Sequence, residues 1–169
     1  DGILEAREPR ISSTRGRGRP SKVFVMTDSG REKFEHSYDD LAVAALKFMS
    51  AQSGEHLVTA FAKSRADDIE RKGALALAKS SNKLDALASF LTEQGYAASV
   101  ETRATGQEIC QHHCPIAHVA SEFPQLCEAE TEAFSKLLGT HVQRLATIAH
   151  GDGVCTTYIP NIPTKEPLT

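Results

Sequence analysis

The chain has 169 residues, of which 40% are hydrophobic and 24% are charged, and its formal net charge is −3. That length predicts one domain, or one domain with an appended piece, and the composition excludes collagen-like, coiled-coil and fully disordered classes. No apolar stretch approaches the roughly 18 residues that a membrane span needs, and no signal peptide follows Asp1. We therefore expect a cytoplasmic protein that has no membrane partner.

Basic residues concentrate near the start of the chain, where six of them and a single acid lie between Arg7 and Lys22. In segment 15–20, arginines alternate with glycines and a proline follows. Such a strip fits a narrow groove of negative potential, as in DNA, although a solvated basic loop is the alternative. The residues expected to contact DNA are Arg10, Arg15, Arg17, Arg19 and Lys22.

The first predicted element is a hairpin. Segments 2–8 and 22–27 have the character of extended strands, and the Gly/Ser/Arg/Pro-rich segment 10–21 between them is predicted to be a loop. A short helix capped by Thr27 or Asp28 is expected to follow. The hairpin therefore carries the basic residues at its tip.

Three helices are predicted next, because leucines and alanines recur at helical spacing. The first runs from residue 38 to about residue 50, and the second from residue 55 to about residue 77. The third is capped by Ser81 or Asn82 and ends at Gly95. Their apolar stripes are expected to form a core or a dimer interface.

The last third of the chain alternates strands and a helix in the prediction. A strand is expected over 96–102, and Cys127 is expected to open a helix. Two further strands, 141–149 and 154–160, are joined around Gly151-Asp-Gly153, which is a good hairpin turn.

The four cysteines have the spacing Cys-x3-Cys-x12-Cys-x27-Cys, at Cys110, Cys114, Cys127 and Cys155. Structural disulfides are disfavoured, because nothing marks the chain as secreted and it is long enough to build a core without them. Inert buried thiols are a weaker explanation for four clustered cysteines than for one. A metal centre is the remaining interpretation.

Zinc and an iron–sulfur cluster stay open as alternatives on the residues alone. Zinc ligands usually come in close pairs, and here only Cys110 and Cys114 are close, whereas a cluster tolerates wider spacing. Cys127 at a helix start would have its thiol pKa lowered by the positive end of the dipole. His112 and His113 are candidates for a ligand or for a hydrogen bond to one.

We do not expect an enzyme. No Gly-rich phosphate loop follows a strand, and no Ser/His/Asp ordering stands out. The acids Glu128, Glu130 and Glu132 fit the favourable first turn of a helix better than an acid–base pair. A redox enzyme that uses a cluster for electron transfer is the weakest alternative, since no pattern in the sequence indicates substrate-binding residues.

Six segments together resemble the SufR family, in particular its actinobacterial members. SufR proteins are iron–sulfur cluster-binding winged helix-turn-helix repressors of the operon that assembles such clusters. Three segments resemble the sensory domain, and they are Cys110-Gln-His-His-Cys114-Pro-Ile, Phe123-Pro-Gln-Leu-Cys127-Glu-Ala-Glu130 and Gly151-Asp-Gly-Val-Cys155. Three others resemble the end of the DNA-binding domain, and they are Gly2-Ile-Leu-Glu-Ala-Arg-Glu-Pro9, Gly16-Arg-Gly-Arg-Pro20 and Val23-Phe-Val-Met-Thr-Asp-Ser-Gly30.

The resemblance implies an α+β homodimeric repressor that binds the suf operator and carries one [4Fe–4S] cluster in each subunit. Cys114, Cys127 and Cys155 match the cluster cysteines of the family, and Cys110 is the fourth ligand by proximity. The alternative fourth ligands are His112, His113, Glu130 or an exogenous group. The alternative function is a zinc-stabilised structural or protein-interaction module, with zinc in place of the cluster.

The implied organisation has four parts. Residues 1–35 are the C-terminal part of the winged helix-turn-helix domain with its wing, and 36–95 are a helical linker and dimerisation region. Residues 96–160 form the sensory domain, and 161–169 are a flexible tail. The family's DNA-reading helices precede the wing, so we expect this chain alone to bind DNA poorly or not at all. Cluster loss is expected to change the dimer geometry and release DNA.

Overall fold

The computed structural model describes residues 3–7, 22–27 and 38–161. The chain divides into two compact units, Asp1–Tyr38 and Asp39–Thr169. Its class is α+β, as predicted, because the described residues form five helices and two antiparallel sheets. None of the helices in those ranges has the length and apolar character required to cross a bilayer.

In the first unit, two short strands pair in antiparallel fashion. They are β1 (Leu4–Arg7) and β2 (Val23–Met26), with Leu4 opposite Met26. The backbone N–H of Thr27 extends the pairing by donating to the Ile3 carbonyl oxygen at 2.9 Å. The predicted strand pair is thus confirmed, whereas the basic tip and the short helix after it lie outside the described residues.

The second unit begins with three helices, and all three were predicted from apolar periodicity. They are α1 (Tyr38–Ser53), α2 (Glu55–Leu77) and α3 (Lys83–Glu93). Gly54 separates α1 from α2 with a φ of 84°, which the missing side chain of glycine permits. Asn82 caps α3, since its side-chain oxygen accepts hydrogen bonds from the backbone N–H groups of Leu84 and Asp85 at 3.0 and 3.3 Å.

A four-stranded antiparallel sheet follows, with the spatial order β3-β4-β6-β5. Its strands are β3 (Ala98–Arg103), β4 (Gly106–Gln111), β5 (Gln143–Ala146) and β6 (Cys155–Pro160). The sequence does not predict β4, because polar residues outnumber apolar ones in it. The predicted strand over 141–149 stops at Ala146, and a 3-10 turn over Ile148–His150 takes its place.

Two helices lie between β4 and β5 in the chain. They are the short α4 (Ala117–Glu122), which the sequence does not predict, and α5 (Gln125–Leu138). Cys127 is the third residue of α5, so the predicted helix at this cysteine is confirmed with a start two residues earlier. Gly139 ends α5 in the left-handed conformation with a φ of 69°, as a C-terminal glycine commonly does.

Two hydrophobic cores join the early helices to the later elements. One contains Val58 and Ala62 of α2 together with Val119 of α4 and Ala133 of α5. The other contains buried residues of α3, the strand residue Ile109 and Phe134 of α5. The predicted helical region and the predicted sensory region therefore share their cores, and α5 contributes residues to both cores.

Candidate metal centre

Three of the four cysteines lie on separate elements around one face of the sheet. Cys114 follows β4 in the loop before α4, Cys127 is in the first turn of α5, and Cys155 is the first residue of β6. The strand register places Gln111, the last residue of β4, opposite Cys155. Because residues directly opposite in an antiparallel pair share a face, Gln111 and Cys155 point to the same side.

A buried polar network stands at this side of the sheet. The guanidinium of Arg144 on β5 donates to Gln111 Oε1 and to Glu130 Oε1, both at 2.9 Å, and to the Thr131 hydroxyl at 3.2 Å. The Gln111 amide also donates to Glu130 Oε1, at 3.2 Å. Arg144 further lies over the ring of Phe134, 5.6 Å from its centroid. The network holds a cation and a carboxylate in fixed positions at the cysteines.

Backbone N–H groups reach two of the three sulfur atoms. Ile148, in the 3-10 turn, donates its N–H to Cys155 Sγ at 3.2 Å. The N–H of Ile116 donates to the Cys114 thiol, and the intervening Pro115 has no N–H of its own. A sulfur ligand at either position therefore has a backbone N–H donor from which it can accept.

Burial disfavours the thiolate forms of Cys114 and Cys127. Burial, followed by the Glu130 carboxylate, raises the pKa of the Cys127 thiol from 9.0 to about 11, and Arg144 opposes the rise. Burial also raises the pKa of Cys114, which the Ile116 N–H opposes. The prediction that the helix dipole lowers the Cys127 pKa is therefore wrong, because desolvation of a thiolate outweighs the dipole here.

Cys110 lies on the opposite face of the sheet from the other three cysteines. Neighbouring residues of a strand point to opposite faces, and Gln111 is the residue that points to α5. The surroundings of Cys110 are Glu101 and Glu108, and burial and then these two carboxylates raise its pKa. The structure thus separates Cys110 from the other cysteines, although it is close to Cys114 in sequence.

Glu101, Glu108 and Cys110 form the one set of three potential metal-ligand atoms within 4.8 Å of one another among the described residues. Arg103 already binds both carboxylates, with ion pairs of 2.6 Å to Glu101 and 2.7 Å to Glu108. One guanidinium therefore offsets part of the negative charge of the two carboxylates without a metal ion.

The three other candidate ligands lie in different places. His112 is exposed, and its Nε2 is 2.9 Å from the Ser99 hydroxyl. His113 is exposed as well, and its backbone N–H donates to the Tyr96 carbonyl oxygen at 3.1 Å. Glu130 is buried, 8% exposed, within the Arg144 network. Among these alternatives, the structure brings Glu130 near Cys114 and Cys127, whose thiols its charge affects.

A cavity of about 500 Å³ opens beside Cys127. Arg144, Thr147, His150 and Asp152 contribute to its wall. Cys127 is thus the cysteine of the group of three that lines this cavity, which gives small molecules from solvent a path to its sulfur.

Sequence reasoning misses the groups that surround the cysteines. Arg144 is the single charged residue of a four-residue strand, and Gln111 lies on the unpredicted β4. Tyr96 faces Glu130, and burial together with that carboxylate raises the pKa of its hydroxyl. No spacing motif marks these residues, since they come from three elements that only the folded sheet brings together.

Of the residues predicted to contact DNA, the structure describes Lys22 alone. It precedes β2 and is exposed, while Arg10, Arg15, Arg17 and Arg19 lie outside the described residues. No family model, curated protein or solved structure matches this chain.

Proposed function

We propose that this chain is the sensory and dimerising part of an iron–sulfur cluster-sensing transcriptional repressor, with Cys114, Cys127 and Cys155 as cluster ligands. The observation that carries the proposal is the convergence of three thiols from three elements beside the largely buried cation of Arg144. Arg144 offsets the negative charge of the thiolates, and the N–H groups of Ile116 and Ile148 hydrogen-bond to two of the sulfurs. These are the charge and hydrogen-bonding levers that proteins use on iron–sulfur sites.

The spacing of the thiols favours a cluster over a single zinc ion. Sulfur ligands around one zinc ion, each at about 2.3 Å, lie roughly 3.8 Å apart. The sulfurs of Cys114, Cys127 and Cys155 do not all lie within 4.8 Å of one another. Among the described residues, the set of ligand atoms that meets this limit is that of Glu101, Glu108 and Cys110. In a cubane cluster each thiolate binds a different iron, so the thiolates lie farther apart.

A cluster bound by Cys114, Cys127 and Cys155 would connect the sensory site to the helices. Oxidants or iron shortage would remove such a cluster and so break this connection. Cys127 is part of α5, and α5 packs in one core with α1 and α2. Releasing Cys127 from Cys114 and Cys155 therefore frees α5 to shift against the helical region, which we propose as the route from cluster state to DNA affinity.

The helical region offers a surface for a second copy of the chain. On α1, Leu41 and Phe48 are 67% and 66% exposed, and the exposed Ala44 and Ala45 lie between them. These four residues, which we call the α1 stripe, share one side of the helix because positions three, four and seven apart align. A continuous apolar stripe is self-complementary, as a two-fold interface requires. We propose a homodimer through the α1 stripe, acting on operator DNA in the cytoplasm.

Anaerobic purification of this chain tests the cluster. We expect a brown protein with about four irons and four sulfides per chain, as in a [4Fe–4S] cluster. Serine in place of Cys114, Cys127 or Cys155 should abolish or sharply reduce the iron content. Cys110→Ser is the matched control and should retain it, because Cys110 faces away from the site. A colourless protein with stoichiometric zinc would support the zinc alternative and overturn the proposal.

A further inference from the structure

We propose that Glu130 is the fourth ligand of the cluster, binding one iron through a carboxylate oxygen, and that Arg144 holds this carboxylate in position. This inference rests on the proposed function. It assigns the position that the three cysteines leave open, and it makes that position chemically different from the other three.

The helix geometry places Glu130 beside a ligand cysteine. Glu130 follows Cys127 by three residues on α5, so the two side chains lie on one face, with their Cβ atoms about 5–6 Å apart. Both residues turn toward the sheet, where Arg144 lies. The charge of Glu130 acts on the thiols of both Cys127 and Cys114, so the carboxylate lies near two of the three cysteines.

The strand register places Glu130 near the third cysteine as well. The Gln111 side chain donates to Glu130 Oε1 at 3.2 Å, and the backbone of Gln111 pairs with Cys155 on β6. Arg144 also donates to Oε1. The hydrogen bonds from Gln111 and Arg144 thus end on one oxygen and fix the carboxylate by that atom.

The other candidates for the fourth position face elsewhere. Cys110 lies on the far face of the sheet with Glu101 and Glu108. His112 interacts with Ser99, which pairs with Cys110 in the β3–β4 register, so it belongs to that far face. His113 is exposed. Glu130 is the candidate that is both buried and close enough to affect the thiols of Cys114 and Cys127.

The ion pair with Arg144 stabilises the buried carboxylate of Glu130. Removing one partner of a buried ion pair leaves an unpaired charge in a medium of low polarity, and Arg144 prevents that for Glu130 in the cluster-free chain. When the thiols ionise to become ligands, Arg144 has negative sulfurs as further partners. The same cation therefore serves both states of the site.

The test uses the full chain, reconstituted anaerobically with ferrous iron and sulfide. Protein labelled with glutamate carrying ¹³C at its side-chain carboxyl carbon is reduced, and the hyperfine coupling between this carbon and the cluster spin is measured. We expect a coupling in the wild-type protein and its loss in Glu130→Gln. Glu130→Gln should also lose its cluster in air roughly tenfold faster or more, the scale of effect typical for groups that hold a metal centre.

Two further variants test whether the effect is specific to the carboxylate of Glu130. Glu128→Gln changes an exposed acid on the same helix and should keep both the coupling and the rate of loss. Glu130→Cys should make the four irons alike in their Mössbauer spectrum and should slow the loss in air. If Glu130→Gln fails to fold, the labelled wild-type protein decides alone, because absence of the coupling overturns the assignment.

Failure of this inference and failure of the proposed function have different signatures. A wild-type chain that takes up no iron and sulfide contradicts the proposed function. A chain that takes up the cluster, but shows no ¹³C coupling or the same spectra in Glu130→Gln, contradicts the role of Glu130 and leaves the cysteine ligands standing.

Discussion

Cys127 illustrates how burial and charge compete at a single side chain. Its position in the first turn of α5 favours a thiolate, because the helix dipole is positive there, and Arg144 acts in the same direction. Burial and the Glu130 carboxylate act in the opposite direction and win, so the thiol pKa rises to about 11. Metal binding needs the thiolate, and loading of the site must therefore release protons.

This shift makes Cys127 slow to react in the cluster-free chain. We expect its alkylation by iodoacetamide to rise with a midpoint near pH 11 in the folded chain, and near the ordinary thiol pKa of about 8.5 in the urea-unfolded chain. Peptide mass spectrometry after short exposures measures the extent at Cys127. A folded-state midpoint at or below the unfolded one would contradict the burial of this thiol.

The raised pKa of Cys127 also makes the free energy of unfolding depend on pH. The folded chain favours the protonated thiol, so this contribution is fully present below the unfolded pKa and is lost as pH rises through the folded value. Between about pH 8.5 and pH 11, the free energy of unfolding of the cluster-free chain should therefore fall because of Cys127.

At the scale of elements, the pairing of β4 with β6 positions the site, because it places Gln111 opposite Cys155. Gly106 begins β4 opposite Pro160 and has no room for a side chain. A Cβ added there would collide with the Ile159 carbonyl oxygen, and it would lie 2.8 Å from the Tyr158 ring. The collision is with backbone, so a neighbouring rotamer change cannot relieve it.

Gly106→Ala should therefore lower the free energy of unfolding by about 1–3 kcal/mol, the usual cost of overpacking. The matched control is Gly153→Ala, where an added Cβ meets nothing within 4 Å and the change should stay within about 0.5 kcal/mol. Urea unfolding of the cluster-free proteins measures both. Equal stabilities of the two variants would show that the sheet accommodates a side chain at Gly106.

At the scale of the whole molecule, the second unit connects the proposed cluster site to an exposed surface. The α1 stripe lies on the solvent side of α1, while Val43 and Leu46 of the same helix are buried in the core shared with α4 and α5. One helix thus contacts the core that contains α5 and carries the apolar stripe of the proposed dimer. In our proposal, the cysteines are linked to dimerisation through these two layers of packing.

The double variant Leu41→Glu with Phe48→Glu should convert the dimer to a monomer, because four charges would oppose one another across a two-fold interface. Sedimentation velocity measures the change. Leu75→Glu is the matched control, since Leu75 on α2 is also 67% exposed but lies outside the α1 stripe. A dimer that survives the double variant, or dissociates equally in the control, would remove the α1 stripe from the interface.

The sequence by itself determined the elements whose signal is local. Apolar periodicity set α1, α2 and α3, and the Asn82 cap marked the start of α3 within a residue. The Gly-Asp-Gly turn between the last two predicted strands agrees with the pairing of β5 and β6. These signals depend on residues that are one or two helical turns apart or adjacent in a tight turn. Such residues are close in the sequence, so the sequence shows them directly.

Only the tertiary structure decided which cysteines meet. Spacing paired Cys110 with Cys114, but β4 is a strand, and strand alternation turns Cys110 away from the face of Gln111. Glu130 and Arg144 lie 14 residues apart and gave no joint signal. Burial, sheet register and the packing of α5 bring them to Cys114, Cys127 and Cys155, because each depends on contacts between segments that are distant in sequence.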